Sequence, residues 1–332
     1  MKKIIVCFSC VLFFFSCESP KKQASFYFWK TTYNIDAAEQ LYLDKLNVQK
    51  LYVRFFDIDI LNGTPKPIGQ IQIQQKNKSQ QIIPVVFITN ETFKDLDKAK
   101  IEQLAKNCIR QIEFLYTNIS DNKLQEIQFD CDWTTSTRNN YFYFLNQVKK
   151  QFPKYQYSCT IRLHQIKDKE QTGVPPLKQG VLMYYATSNP LDFTDKNSIL
   201  ENDIAENYCA VLQNYPITLD IALPIYSWAI IENQVGEKRL LNGIRNEDLK
   251  DTSVYQAIKP NFYLVKKDHY LQGNYLYQDF KIKTESISQE QLTRSTTFLR
   301  KKIKNKEPNV IFFQLDSSNL MHYSVQNLKS IL

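Results

Sequence analysis

Two aspartates separated by one residue carry the clearest chemistry in this sequence. Asp130 and Asp132 lie in the run EIQFDCDW (126–133), and side chains at positions i and i+2 of a strand are about 6.6 Å apart. At an effective dielectric constant near 20, two anions at that distance repel by about 2.5 kcal/mol, or nearly two pKa units. One carboxyl group of the pair is therefore expected to hold its proton at higher pH than the other. Glycoside cleavage needs such a pair, because an acid protonates the leaving oxygen while an anion stabilises positive charge.

The pair lies in the fourth of eight strand-like runs that are separated by helix-like segments or loops. The runs cover residues 25–31, 50–58, 82–89, 126–133, 155–165, 180–187, 217–226 and 309–318. Eight strands in βα alternation predict an α/β fold, a (β/α)8 TIM-like barrel over residues 25–332. The alternative is a doubly wound open sheet, which the lack of a glycine-rich first turn disfavours.

Two connections depart from simple βα alternation. Residues 60–81 carry Pro65 and Pro67, so they predict a loop or hairpin where a helix would normally stand. Residues 232–285 are far longer than an ordinary connection. Within them, FYLVKKDHYLQGNYLYQDFKI with Gly273 at its bend predicts a β-hairpin region inserted after strand seven.

Alternation along each strand predicts which side chains face the barrel axis. In strand four, Asp130 and Asp132 belong to the polar set, while Ile127, Phe129 and Cys131 belong to the apolar set and face the helices. The same test places further polar residues inside, namely Tyr52, Arg54, Ser158, Thr160, Arg162, His164, Gln314 and Asp316. Many of these fall late in their strands, and active sites of such barrels lie at the C-terminal ends of the strands. The pattern therefore predicts a polar site at that mouth.

A purely structural interpretation of these charges remains open. Carboxylates and arginines inside a barrel are costly unless they are paired, and ion pairs such as Arg54–Asp130 or Arg162–Asp316 would satisfy them without chemistry. For Asp220 and Gln314 this structural interpretation is preferred. A cluster of Asp130, Asp132 and Asp316 around a hard cation is a further alternative.

Three aromatic residues are placed to line the same mouth. Trp29 and Trp228 lie late in or just beyond strands one and seven, and Tyr185 lies late in strand six. Flat rings at these positions predict stacking on the faces of a sugar, with ordinary aromatic packing as the alternative.

Composition excludes several functional classes. The chain has 332 residues with only 7 glycines and 3 histidines, so it contains no glycine-rich nucleotide fingerprint and no HExxH metal motif. No cofactor is expected. The net charge of +8 includes one dense basic run, residues 300–306, at the end of a helix-like stretch without interleaved aromatics. No nucleic-acid partner is therefore expected, and the protein is expected to be a monomer.

The N-terminus has the order of charges and apolar residues that is typical of a signal peptide. Lys2 and Lys3 precede an apolar run that ends at Phe15 and is followed by Ser16 and Cys17. The sequence predicts a signal peptide over 1–16 and a polar tether over 17–24. The end FFSC resembles the lipobox of bacterial lipoproteins, which implies that Cys17 is acylated and that the protein is lipid-anchored in the bacterial cell envelope. The other cysteines are expected to be buried thiols, with a Cys131–Cys159 disulfide as the alternative.

Strand four also resembles a known enzyme signature. FDCDWT is similar to the DxxDxDxE motif of chitinase-like family 18 glycoside hydrolases, whose last Glu is the proton donor and whose preceding Asp positions an acetamido group. LMYYAT resembles the family's MxYD at Met183 and Tyr185. When Asp130 and Asp132 are matched to the second and third Asp of the motif, Thr134 stands at the position of the donor Glu. When the alignment is shifted by two residues, Asp132 becomes the donor and Asp130 the positioning acid. The Asp of MxYD is Ala186 here.

The chain as a whole looks like an uncharacterised group of bacterial lipoproteins with a glycosidase-like barrel, which implies a saccharide ligand. The preferred hypothesis is a lipid-anchored glycoside hydrolase-like protein in which Asp132 is the general acid and Asp130 the stabilising or nucleophilic carboxylate. Arg54, Arg162 and His164 would orient these carboxylates and the substrate. The alternative is a non-catalytic glycan-binding lipoprotein, in which catalysis is lost because the donor Glu is absent.

Overall fold

A computed structural model describes residues 24–305 and 307–332. The predicted signal peptide 1–16, Cys17 and all of the tether except Ala24 lie outside these residues. Among the helices of the described part, none is both long enough and apolar enough to cross a membrane.

Eight parallel strands form a closed barrel. They are β1 (Ala24–Phe28), β2 (Lys50–Leu61), β3 (Gln81–Ile88), β4 (Glu126–Asp130), β5 (Gln156–Arg162), β6 (Gln179–Met183), β7 (Thr218–Pro224) and β8 (Val310–Phe313). Each strand pairs in parallel with its neighbours, and β1 closes the cylinder by pairing with both β2 and β8. The predicted (β/α)8 TIM-like barrel is confirmed, and the open-sheet alternative is excluded.

Helices lie in the connections between the barrel strands and after the last strand. They are α1 (Ala37–Lys45), α2 (Lys98–Ile119), α3 (Arg138–Gln151), α4 (Leu163–Lys167), α5 (Lys169–Thr172), α6 (Asn202–Tyr208), α7 (Gln289–Lys302), α8 (Ser317–Leu320) and α9 (Val325–Ile331). The longest, α2, begins after Asp97, whose carboxylate accepts from the Lys100 amide. Its apolar face, which includes Ile101 and Cys108, is buried against the outer side of the strands.

The segment after β2 forms a hairpin, as the prolines indicated. Strand Thr64–Ile68 turns back and pairs antiparallel with the end of β2. Gly69 follows it at φ +56°, and a Cβ there would lie 2.7 Å from the Arg54 guanidinium. The positive φ favours glycine at this position, and the missing side chain leaves room for the Arg54 guanidinium.

The insertion after β7 is an antiparallel sheet of five strands, which is larger than the predicted hairpin. In spatial order the strands are Lys238–Asn242, Trp228–Glu232, Lys281–Glu285, Phe262–Val265 and Tyr255–Lys259. The sheet buries its own apolar cluster, which includes Ala229, Ile231 and Ile282. A small hairpin of His269–Leu271 and Asn274–Leu276 projects from it, with Gly273 at φ +77° in the turn. The location of the predicted inserted hairpin region is confirmed.

Side chains of the barrel strands separate into an outer and an inner set. Ile127, Phe129 and Cys131 pack in the large cluster between strands and helices. The inner cluster contains Tyr27, Tyr52, Ile83, Val85, Val181, Met183, Tyr185, Ala222 and Ile311. The alternation predicted for β4 is therefore correct. Cys108, Cys131, Cys159 and Cys209 are buried free thiols, so the alternative disulfide is not formed.

Candidate functional site

Asp130 is the last residue of β4 and lies on the inner face of the barrel. It is only 5% exposed, and the Thr160 hydroxyl of β5 donates to its Oδ1 at 2.5 Å. Burial, followed by the charge of Asp132, raises the pKa of Asp130 to about 7, against opposing contributions from Thr160 and Arg162. Asp130 is therefore largely protonated below neutral pH.

Asp132 lies just beyond β4, and its side chain is 45% exposed. The Nε of Arg162, the last residue of β5, lies 3.3 Å from its Oδ1. That oxygen is buried and accepts no hydrogen bond from the described residues. Asp132 thus combines a solvent-facing carboxyl group with a guanidinium partner.

The sequence pattern predicts that one aspartate of the pair holds its proton to higher pH, without deciding which one. The general-acid role of Asp132 belongs to the hydrolase hypothesis, and the pKa that is raised in the structure is that of Asp130. The reason is burial: β4 ends at Asp130, so Asp132 leaves the barrel interior and reaches solvent. Asp130 is the member that stores a proton, and Asp132 is the member that a ligand can contact.

A β-bulge in β2 brings a further carboxylate inside that the sequence pattern did not indicate. The register with β3 shifts between Arg54 and Phe56, so Asp57 aligns with Phe87 on the inner face. Arg54 donates to Asp57 through Nε at 2.7 Å and also through Nη2. The charge of Asp57 contributes to the raised pKa of Asp130, which places Asp57 in the same electrostatic cluster.

Neither ion pair of the structural alternative forms between these described side chains. Arg54 binds Asp57 instead of Asp130, and Arg162 binds Asp132 instead of Asp316. The structural interpretation does hold deeper in the barrel for Asp220. This carboxylate accepts from the Asn309 amide at 2.9 Å and from Gln179 at 3.0 Å.

The prediction that His164 and Asp316 face the barrel axis is wrong, because both strands end earlier than predicted. β5 ends at Arg162, and His164 is an exposed residue of α4. β8 ends at Phe313, and Asp316 caps α8 by accepting from the Ser318 amide at 2.9 Å.

The alternative of a three-aspartate cation site is also wrong. Residues 24–305 and 307–332 contain no cluster of three or more His, Cys, Asp or Glu side chains suited to a metal ion. The Asp316 carboxylate caps α8, and the Asp132 carboxylate forms an ion pair with Arg162.

The predicted aromatic residues meet around Phe313, the last residue of β8. Its ring lies 5.6 Å from the rings of both Trp29 and Tyr185 and 5.8 Å from that of Tyr226. Tyr226 in turn packs edge-to-face on Trp228 at 5.4 Å. The three predicted aromatics thus belong to one group, which Phe313 and Tyr226 connect. Trp29 and Trp228 remain partly exposed, so their rings are available to a ligand.

The inserted sheet fixes the orientation of Trp228. Its indole Nε1 donates to Glu285 Oε2 at 2.7 Å. Glu285 is buried, receives a second hydrogen bond from Ser198 and forms an ion pair with the buried Lys283. Glu285 lies 57 residues from Trp228 along the chain, so no local pattern could have indicated this contact.

Two further buried polar atoms lie near the mouth without a partner. The Tyr185 hydroxyl and Gln314 Oε1 make no hydrogen bond to the described residues. Such groups are normally satisfied by protein or by ordered water. Together with Asp132 Oδ1 they give the site a set of unused hydrogen-bonding atoms next to a partly exposed aromatic surface.

Comparison with known proteins identifies the fold. No protein-family profile and no curated relative matches the sequence. The structure is similar to the spore cortex-lytic enzyme SleL of Bacillus cereus, with a TM-score of 0.53, 14% identity and coverage of 92% of this chain and 74% of that one. It is equally similar to the C-terminal domain of a putative chitinase of Desulfitobacterium hafniense DCB-2, with a TM-score of 0.53, 10% identity and coverage of 93% and 98%. At these identities the comparison shows that this chain has the TIM-like barrel fold of those two proteins.

Proposed function

We propose that this protein binds a glycan at the C-terminal mouth of its barrel and hydrolyses a glycosidic bond with the Asp130–Asp132 pair. The observation that carries the proposal is the division between the two carboxyls: one is buried with a pKa near 7, and the other is half exposed beside Arg162. The fold shared with a cortex-lytic enzyme and a putative chitinase supports a saccharide substrate.

The two aspartates supply complementary charge states in this mechanism. Just below pH 7 the two carboxyl groups together hold one proton and one negative charge. Because the two groups are coupled, this charge state is assigned to the pair and not to either aspartate alone. Asp132 is the member in reach of a ligand, so the proton passes to the leaving oxygen through Asp132. The remaining negative charge stabilises the positive charge that develops on the sugar ring, and a water molecule then adds to the anomeric carbon and returns a proton to the pair. Arg162 holds Asp132 in place, and the Asp57 carboxylate, which Arg54 holds, adds to the effect of burial and of Asp132 in raising the pKa of Asp130.

The aromatic residues bind the sugar in this proposal. Trp29 and Trp228 present ring surface at the mouth, Tyr185 is buried beside Phe313, and Glu285 keeps the Trp228 indole in one orientation. Because the ring is already held in one orientation, less conformational entropy is lost when the sugar binds. Asp316 is not assigned to the substrate, since it caps a helix. His164 lies at the rim, where burial and, after it, the charge of Arg162 lower its pKa.

One observation favours a second function, which is glycan binding without cleavage. Thr134 stands where the resemblance to family 18 places the donor Glu. Its hydroxyl lies 2.9 Å from that of Ser136, and its amide donates to the Thr137 hydroxyl. No third carboxyl group therefore follows the Asp130–Asp132 pair on this strand, and the site would bind sugar without protonating it.

Incubation of the protein with soluble N-acetylglucosamine oligosaccharides separates the two functions. We expect new reducing ends, with a rate that falls as the pH rises above about 7, because Asp130 then loses its proton. Binding in a calorimeter with no reducing ends after long incubation would support the second function. Neither binding nor cleavage, with these sugars and with peptidoglycan fragments, would contradict both.

We also propose that the protein is exported and held in the bacterial cell envelope by acyl chains on Cys17. The charge and apolar order of residues 1–17 supports this location. We expect wild-type protein to sediment with membranes and to incorporate a labelled fatty acid, and Cys17→Ser to lose the label. Label that is retained by Cys17→Ser would contradict anchoring at this residue.

A further inference from the structure

A groove on the inserted sheet has the features of a second ligand site. It lies between the sheet and the small hairpin and encloses about 320 Å³, within the size range of small-ligand sites. Its lining residues are Ile231, Asn233, Glu237, Lys238, Arg239, Tyr275, Tyr277 and Phe280. These residues, together with the adjoining Tyr270, are called the tyrosine groove.

Three neighbouring tyrosines give the tyrosine groove an exposed aromatic surface. Tyr270, Tyr275 and Tyr277 are 70%, 37% and 53% exposed. Each adjacent pair of rings packs edge-to-face with centroids 4.9 Å apart, and Tyr277 packs on Phe280 at 5.5 Å. Single exposed apolar residues need no explanation, but a contiguous row of large rings marks an interaction surface.

Polar groups that are already held in place border these rings. Asn233 Nδ2 donates to Glu237 Oε2 at 2.8 Å, across the turn that connects two strands of the sheet. Arg239 donates through Nη2 to the Tyr275 carbonyl at 3.0 Å. No carboxylate in the described part of the chain lies within ion-pair distance of Arg239, so its remaining N–H groups are free to bind a ligand.

The chemistry of the tyrosine groove matches a saccharide. A pyranose ring has apolar C–H faces that pack on aromatic rings and a rim of hydroxyls that pair with amide, carboxylate and guanidinium groups. An anionic lipid surface fits less well, because Glu237 borders the groove and Asp268 lies 3.3 Å from the Tyr275 hydroxyl. Exposed rings beside fixed polar groups therefore favour a sugar chain over a bilayer.

The tyrosine groove is separate from the barrel mouth. Both involve the strand Trp228–Glu232: Trp228 belongs to the mouth, whereas Ile231 lines the groove and pairs with Arg239. Three residues of strand place these positions about 10 Å apart. We propose that the tyrosine groove is an auxiliary site that binds a segment of a polysaccharide chain, whether or not the mouth is catalytic.

Native affinity electrophoresis tests this proposal with four soluble polymers in the gel: glycol chitin, hydroxyethyl cellulose, laminarin and polygalacturonate. We expect at least one polymer to retard the wild-type protein. The triple variant Tyr270→Ala, Tyr275→Ala, Tyr277→Ala should bind that polymer at least about tenfold more weakly, because three stacking surfaces are lost. The matched control is Phe114→Ala, which removes a ring that is 63% exposed on α2 and should leave the retardation unchanged.

Further variants keep the result interpretable. Circular dichroism shows whether the triple variant is folded. If it is not, the single variant Tyr277→Ala should still bind the same polymer more weakly than the wild type does. In a Trp228→Ala background, which removes a mouth residue, the triple substitution should weaken retardation as much as it does in the wild type, so a failure of the mouth hypothesis is distinguishable from a failure here. Equal retardation of wild type and triple variant, or none in any gel, would overturn the proposal. The proposal would also be overturned if the wild type binds anionic phosphatidylglycerol vesicles and the triple variant does not, while retardation in the gels is the same for both.

Discussion

Replacing Asp132 with asparagine is expected to lower glycosidic-bond cleavage by about 10²- to 10⁴-fold while the protein still binds its glycan. Asp132 is the half-exposed member of the pair, so it is the carboxyl group that reaches the leaving oxygen. Asparagine keeps the shape of the side chain but carries no exchangeable acid proton. The aromatic contacts of Trp29 and Trp228 remain, which is why binding should persist. Initial rates of reducing-end release and calorimetric binding measure the two effects separately.

The matched control for this variant is Asp95→Asn. Asp95 is exposed in the segment before α2 and forms no ion pair or side-chain hydrogen bond with the described residues of the site, so its replacement should change neither rate nor affinity. An Asp132→Asn protein that cleaves at the wild-type rate would remove Asp132 from the mechanism. A variant that loses binding together with cleavage would instead show that Asp132 holds the substrate, as in the binding-only alternative.

Asp130→Asn is expected to stabilise the folded protein at pH 8 by about 2–4 kcal/mol and to have little effect near pH 4. The pKa of Asp130 is raised by burial to about 7 in the folded state, whereas an ordinary aspartate has a pKa near 3.8. Between these values the folded state binds a proton that the unfolded state releases. The stability contributed by this proton is therefore fully present below pH 3.8 and is lost as the pH rises through about 7. Asparagine is neutral throughout and can still accept from the Thr160 hydroxyl.

Urea unfolding of wild type and variant at pH 4 and pH 8 measures this difference. Asp95→Asn again serves as the control, because an exposed carboxyl with no buried surroundings should give a difference that is nearly independent of pH. A variant that is destabilised equally at both pH values would show that Asp130 is charged and required in the fold. In that case the proton assigned to Asp130 is not present, and the proposed acid chemistry loses its basis.

Hydrophobic alternation was sufficient to predict the barrel and the inward direction of Asp130. β4 has an uninterrupted period of two, so Ile127 and Phe129 could only face the helices. The same rule failed at strand ends. The alternation of polar and apolar residues continues to His164 and Asp316, so it predicts that both side chains face the barrel axis. The strands end before these residues, and the chain continues into α4 and α8.

Contacts between distant segments could not be predicted in this way. Asp57 enters the inner face only because a bulge shifts the register of β2. Glu285 reaches Trp228 only because their two strands pair within the inserted sheet. Neither a one-residue bulge nor a contact across 57 residues leaves a periodic signal in the sequence, since periodicity records only local burial.

The sequence by itself determined the fold class, the site of the insertion and the presence of a close aspartate pair, because these follow from local apolar periodicity and residue spacing. Only the tertiary structure decided which aspartate is buried, which arginine each carboxylate binds and which rings meet at Phe313. A pKa depends on the number of protein atoms that replace water around a group and on charges from other strands. That environment exists only when the barrel closes.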